Sequence, residues 1–280
     1  MLKRVMVGVC RSPAQESLTS LAIAIAQRHG AEITGLAIVD AERIAPVGPV
    51  AAGVFSAKIA QREEEVDAAR DQATDHMATM RQRVEQAGLT FRHAFFEGPT
   101  QGTLEDVWRF QDLYVLATRP WPLGDSSAAR ESSVLRLIAS GVRPVIAVPA
   151  HAPPVPAKVA VALSGSLESA KAMKHMLQLG VWPDASLHLI VCAPPKSGEP
   201  AKRLLECAAD YAATYGVDVT SVVIDRPEDR SSAIVDEAAR VGAQALAMGS
   251  SYKRFLAVQR FGSHAQELMQ WFPGGLFISH

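Results

Sequence analysis

The chain has 280 residues, a formal net charge of −1, 48% hydrophobic and 20% charged residues, and three cysteines. At roughly 100 to 200 residues per domain this length predicts two domains, the near-neutral charge argues against a broad nucleic-acid surface, and the apolar content argues against disorder. Cys10, Cys192 and Cys207 are too scattered for a disulfide framework or a dithiol or zinc motif, the apolar start is too short for a signal segment, and no run reaches the ~18 to 20 apolar residues that span a bilayer, so a cytoplasmic chain is expected.

Taken in order, Val5, Val7 and Val9 mark a first β-branched strand that ends at Arg11-Ser12-Pro13, where Ser12 is an N-cap candidate and Pro13 suits a first helical turn. Leu18, Leu21, Ala22 and Ile25 then recur at helical spacing, and a second strand covers about 32 to 39. Ile59, Val66, Ala69, Ala73, Met77, Met80 and Val84 describe a long amphipathic helix that stops before Gly88. Strand 89–96, helix 101–110, strand 112–117, helix 130–140 and strand 143–149 follow. After the Pro-rich stretch Ala150-His151-Ala152-Pro153-Pro154-Val155-Pro156 the order returns: strand 158–163, helix 166–179, strand 186–192, helix 199–215, strand 217–224, helix 229–241, strand 243–249, helix 263–272 and strand 274–279.

The return is a repeat. Gly30-Ala31-Glu32-Ile33 matches Asp184-Ala185-Ser186-Leu187, Ala87-Gly88-Leu89 matches Tyr215-Gly216-Val217, and Arg143-Pro144-Val145-Ile146 matches Gly274-Gly275-Leu276-Phe277. The shift is 154 residues at the first match and 128 at the second, so the first copy carries about 26 additional residues, in the loop at 44–56 and the longer following helix. The domains expected are 1–150, a linker at 151–157, and 158–280. Alternating strands and helices imply, in each copy, an open five-stranded parallel sheet with helices on both faces. Ligands of such sheets sit beyond the carboxyl ends of the strands.

The most informative of those loops is Met248-Gly249-Ser250-Ser251-Tyr252-Lys253-Arg254 followed by Gln259-Arg260-Phe261-Gly262-Ser263-His264. Gly249 would let backbone approach a ligand, Gly262-Ser263 would open a helix whose free N–H groups favour phosphate, and Lys253, Arg254 and Arg260 would screen a polyphosphate. An ordinary strand end and helix cap with solvated cations is the alternative on local pattern alone. The spacing is similar to the Gly-x2-Gly-x9-Gly-(Ser/Thr) signature of the universal stress protein family, and Val-Gly-Val-Cys-Arg-Ser-Pro, Gly-Ala-Glu-Ile-Thr-Gly-Leu-Ala-Ile-Val-Asp and Gln-Ala-Leu-Ala-Met-Gly-Ser-Ser agree with it. The chain resembles a tandem, two-domain member throughout its length. That resemblance implies last strands that pair antiparallel across a pseudo-two-fold axis, here 145–148 with 275–280, protein partners, and a homodimer of tandem chains as one further level of assembly. It also implies an adenine nucleotide, ATP, ADP or AMP, with or without magnesium. The residues it assigns are Gly249, Ser250, Tyr252, Lys253, Arg254, Gly262, Ser263 and His264 around the phosphates, Ser164 near the ribose or base, and Val191 against the base.

Departures from the family pattern fall mainly on the first copy. Cys10 and Ser164 stand where nucleotide-binding members carry Asp, Tyr252 replaces the second glycine, Ala117-Thr118-Arg119-Pro120 replaces the glycine turn of copy one, and Glu131 puts a carboxylate where phosphate would sit. Tyr252 is expected to be strained if its position needs positive φ. The functional reading is a stress-response nucleotide-binding or sensing module with its site in the second copy; the alternative is a protein-interaction scaffold of the same fold, and a slow ATPase is the weaker alternative, since no nucleophile, general base or metal set can be named. Three smaller expectations complete the reading: Cys10 as a buried filler, His76 exposed on the long helix, and Trp182 packed locally.

Overall fold

The computed structural model describes residues 2–10, 13–45, 55–98, 107–118, 144–194, 197–225, 228–250, 252–255, 258–261, 267–269 and 271–279. The chain divides into two compact units, Leu2–Val142 and Arg143–His280. Both are α/β.

In the first unit, strands β1 (Arg4–Gly8), β2 (Glu32–Val39), β3 (Phe91–Glu97) and β4 (Leu113–Ala117) lie in the order β3-β2-β1-β4, with every pair parallel. Helix α1 (Ala14–His29) packs on β1 and β4 and ends at Gly30, whose φ of 60° closes the helix in the left-handed region. After the single-turn α2 (Ala41–Ile44), the long α3 (Phe55–Gln86) lays Ala69, Met77, Met80 and Val84 toward β2 and β3, the stripe expected from their spacing. Strand β4 is buried along its whole length, as a strand covered on both faces must be, whereas the edge strand β3 is half-exposed. Of the expected helix at 101–110 only 107–110 are described, and the expected helix at 130–140 lies outside the described residues.

The second unit orders six strands as β5-β12-β9-β6-β7-β8: β5 (Val145–Val148), β6 (Lys158–Leu163), β7 (Ser186–Cys192), β8 (Val219–Ile224), β9 (Ala245–Gly249) and β12 (Gly275–Ser279). All neighbours are parallel except β5 and β12, which run antiparallel with Leu276 opposite Ala147, Phe277 opposite Ile146 and Ile278 opposite Val145. By its contacts the strand at 145–148 groups with this unit, where it pairs with β12. Helix α4 (Leu167–Leu179) packs on β6, β9 and β12, α5 (Gly198–Ala213) on β7 and β8, and α6 (Arg230–Arg240) on β7. Phe277 is fully buried, with the Trp182 ring 6.4 Å away edge-on, so Trp182 is a core residue.

The segment expected to be an open loop after β9 is a two-stranded antiparallel ribbon, β10 (Tyr252–Phe255) and β11 (Val258–Phe261), in which Tyr252 opposes Phe261 and Lys253 opposes Arg260. Aromatic and β-branched residues at 252, 255, 258 and 261 favour extended backbone. Tyr252 sits in that extended conformation, so the strain expected of a tyrosine at a positive-φ position does not arise.

Candidate functional site

Three neighbouring parallel strands of the second unit, β7, β6 and β9, bring their carboxyl ends together. Leu163 is in register with Val191 on one side, and Ala162 with Met248 on the other, which sets Ser164 beside the exits of both neighbours. The fold thus assembles Ser164, Val191, Gly249 and Ser250 from segments far apart in sequence.

Each of these residues has a definite local role. Ser164 is exposed; its hydroxyl donates to Ser166 Oγ at 3.1 Å and its backbone N–H donates to Ser169 Oγ at 3.2 Å. Ser166 caps α4, its Oγ accepting from the Ser169 N–H at 3.2 Å, and Gly165 at φ 75° makes the turn from β6 into that cap. Val191 is buried at the end of β7, and Ser250 is buried with its N–H donating to the Ser279 carbonyl at 2.9 Å. His175 Nδ1 lies 2.8 Å from Ser279 Oγ on the same side.

Gly249 stands against the first turn of α4. A Cβ at this position would come 2.4 Å from the Glu168 carbonyl carbon, 2.5 Å from the Ser169 nitrogen and 2.6 Å from the Glu168 oxygen. The glycine is demanded by the first turn of α4, which lies directly against the end of β9, and the close backbone approach read from the sequence is intramolecular. Of the remaining candidates, Tyr252, Lys253 and Arg254 are placed by the β10 backbone, and Gly262, Ser263 and His264 lie outside the described residues.

At the end of β1 in the first unit, side chains bond the Cys10 backbone. Cys10 is fully buried, and its N–H donates to Gln15 Oε1 at 2.7 Å while its carbonyl lies 2.8 Å from His76 Nδ1. The carbonyl can only accept, so Nδ1 carries the proton. His76, expected on an exposed helix face, is half-buried, with its ring against the Cys10 carbonyl. Val39 is buried as Val191 is.

Among the described residues, no group of three or more His, Cys, Asp or Glu is placed to hold a metal ion, and no helix is long and apolar enough to cross a membrane. Comparison with protein-family models and with curated proteins finds no match. Solved structures do match. A universal stress protein from Archaeoglobus fulgidus aligns over 99% of this chain and 97% of its own at 15% identity and a TM-score of 0.65. A putative universal stress protein from Pseudomonas aeruginosa UCBPP-PA14 aligns over 99% and 93% at 14% identity and 0.62. A functionally unknown protein from Pseudomonas aeruginosa PAO1 aligns over 99% and 92% at 12% identity and 0.61.

The chain has the universal stress protein fold. Set in that fold, the first unit presents a buried thiol and a histidine-bound carbonyl at the end of β1, where the second presents an exposed serine. The two units therefore differ at the ends of β1 and β6. The family resemblance located Cys10 and Ser164, but not the bond from His76, whose partner is 66 positions away.

Proposed function

We propose that the chain is a tandem universal stress protein of the stress response, acting in the cytoplasm, and that its second copy binds an adenine nucleotide at the carboxyl ends of β6, β7 and β9. The observation that carries this reading is the exposed Ser164 hydroxyl, held at the start of α4 beside the exits of β7 and β9. Ser164 would meet the ribose or base, Val191 would back the base, and Ser250, Tyr252, Lys253, Arg254, Gly262, Ser263 and His264 would line the phosphate side. Gly249 serves the site indirectly by letting α4 approach β9. Any magnesium would arrive with the nucleotide, because the described residues offer it no cluster of ligands.

Fit is uneven between the copies. A hydroxyl can donate to or accept from a ribose, whereas the buried Cys10 thiol offers a poor substitute for a carboxylate. The first copy is accordingly read as a structural or regulatory half. The chain's protein partners, and a homodimer of tandem chains, belong to the same proposal.

A second reading, a scaffold that binds proteins without nucleotide, is favoured by the ribbon. Pairing of β10 with β11 spends backbone donors that an open loop would turn toward phosphate. Calorimetric titration with ATP, ADP and AMP, each with and without magnesium, separates the two. Binding that is lost in Gly262→Glu and strengthened in Ser164→Asp supports the nucleotide site; no heat at millimolar nucleotide supports the scaffold.

A further inference from the structure

On the amino-terminal halves of β7 and β8, three side chains form a directed hydrogen-bond chain. Thr220 stands on the edge strand β8, exposed to solvent and in register with His188 of β7. His188 is only 4% exposed. Its Nδ1 lies 2.7 Å from Thr220 Oγ1 and its Nε2 lies 2.7 Å from Oε1 of Glu237 on α6. Glu237 is buried as well, and Arg240, one turn further along α6, grips both of its oxygens, Nε to Oε2 at 2.7 Å and Nη2 to Oε1 at 2.6 Å.

The direction of the chain follows from which groups can donate. The Arg240 hydrogen bonds, and next the one from His188, hold the Glu237 carboxyl below the usual carboxylate range against the opposing effect of desolvation. An ionised carboxylate only accepts, so His188 Nε2 carries the proton and donates to it. In the neutral ring Nδ1 then presents a lone pair, and the hydrogen on the 2.7 Å contact comes from the Thr220 hydroxyl. The Leu187 carbonyl, at 3.4 Å, is the longer alternative acceptor for that hydrogen. Acid, imidazole and hydroxyl in this sequence are what activates an oxygen nucleophile: the base takes the hydroxyl proton, and the carboxylate fixes the tautomer and stabilises the imidazolium that results. His188 and Glu237 are buried and preorganised, while the residue that carries the hydroxyl is exposed on the edge strand.

We propose that Thr220 is a self-acylation site, a nucleophile that accepts an acyl group from small activated donors of the acyl phosphate or aryl ester class. In the step, Thr220 Oγ1 attacks the donor carbonyl carbon and its proton passes to His188 Nδ1. The Oγ1–C bond forms, the C–O bond to the phosphate or aryl oxide breaks with the electron pair leaving on that oxygen, and the proton on Nδ1 passes to the leaving group or to water. Nothing is oxidised or reduced. The site is independent of the nucleotide reading, because it lies on a different part of the sheet and uses none of the same residues.

The test is the reaction of the full-length chain with p-nitrophenyl acetate, following p-nitrophenolate release together with intact mass and peptide mapping. Neutral hydroxylamine first strips thioesters from the cysteines. Expected are a stable added acetyl group on the peptide that holds Thr220, its loss in Thr220→Val, its retention in Thr220→Ser, and a rate lower by roughly 10²-fold in His188→Gln, the scale of a lost general base. Thr220 is exposed on an edge strand, so Thr220→Val and Thr220→Ser keep the test decisive even if His188→Gln does not fold. The proposal is overturned if Thr220 carries no acetyl group in the folded wild type, or if a folded His188→Gln chain acquires it at the wild-type rate.

Discussion

The end of β9 and the first turn of α4 meet at Gly249 and Glu168, where an added Cβ would lie 2.4 Å from the Glu168 carbonyl carbon. Real Cβ contacts are never that short, and backbone on the far side cannot rotate away as a side chain can. Gly249→Ala should therefore push α4 off the sheet, at a cost of about 1 to 3 kcal/mol. Gly35 offers the contrast: its added Cβ would meet Met77 Sδ at 2.6 Å, Phe91 Cζ at 2.8 Å and Met80 Sδ at 3.2 Å. Those are side chains, two of them flexible thioethers, so Gly35→Ala is expected to cost less than Gly249→Ala. Urea unfolding of both variants gives the comparison; a Gly249→Ala midpoint equal to wild type would mean that α4 does not bear on β9.

Strand and helix order was legible because apolar periodicity switches cleanly between β-branched runs and i, i+3, i+4 stripes, as in Val5-Val7-Val9 and Met77-Met80-Val84. Ser164 and Val191 were legible as site candidates only through the family resemblance, although the strand ends that carry them follow from the period. The ribbon at 252–261 was not, because glycines at 249 and 262 signal a loop while Tyr252, Phe255, Val258 and Phe261 between them carry the strand signal. Pairings across long separations were equally out of reach. Nothing local in the sequence announces that His76 bonds the Cys10 carbonyl or that His188 bridges Thr220 and Glu237.

The three cysteines should separate by reactivity. Cys207 is exposed, Cys192 is half-buried with its thiol pushed up chiefly by desolvation and only partly offset by the Arg230 charge, and Cys10 is fully buried. The thiolate is the reactive form, so access and ionisation act together. A thiol assay on the native chain should show one fast thiol, assigned to Cys207 by its loss in Cys207→Ser, a slower one at Cys192, and Cys10 only after denaturant is added. Fast modification of Cys10 in the folded chain would contradict its burial.

Acid should weaken the second unit through Glu237. Its folded-state pKa is lowered, first by Arg240 and then by His188, so its contribution is fully present above the unfolded glutamate value of about 4.3 and is lost as pH falls through the lower folded value. The difference in urea midpoint between wild type and Glu237→Gln should be largest near neutral pH and shrink toward about pH 3. A difference that is constant across that range would show that the carboxylate is not held by its two partners in the folded chain.

The strand β12 is the element with most to lose from one substitution. Ile278 is fully buried, opposite Met248 of β9 on one side and Val145 of β5 on the other. Proline cannot donate to a ladder, and in a strand with neighbours on both sides it has no edge on which to hide the missing N–H. Ile278→Pro also removes a packed aliphatic side chain, so the combined loss should be about 3 kcal/mol or more. Denaturant unfolding is again the measurement, with Ile278→Val as the reference, since trimming one methyl group should cost only about 0.5 to 1.5 kcal/mol. If proline and valine lower the midpoint equally, β12 is not held between β9 and β5, and the antiparallel joint it makes with 145–148 is not what secures the carboxyl-terminal strand.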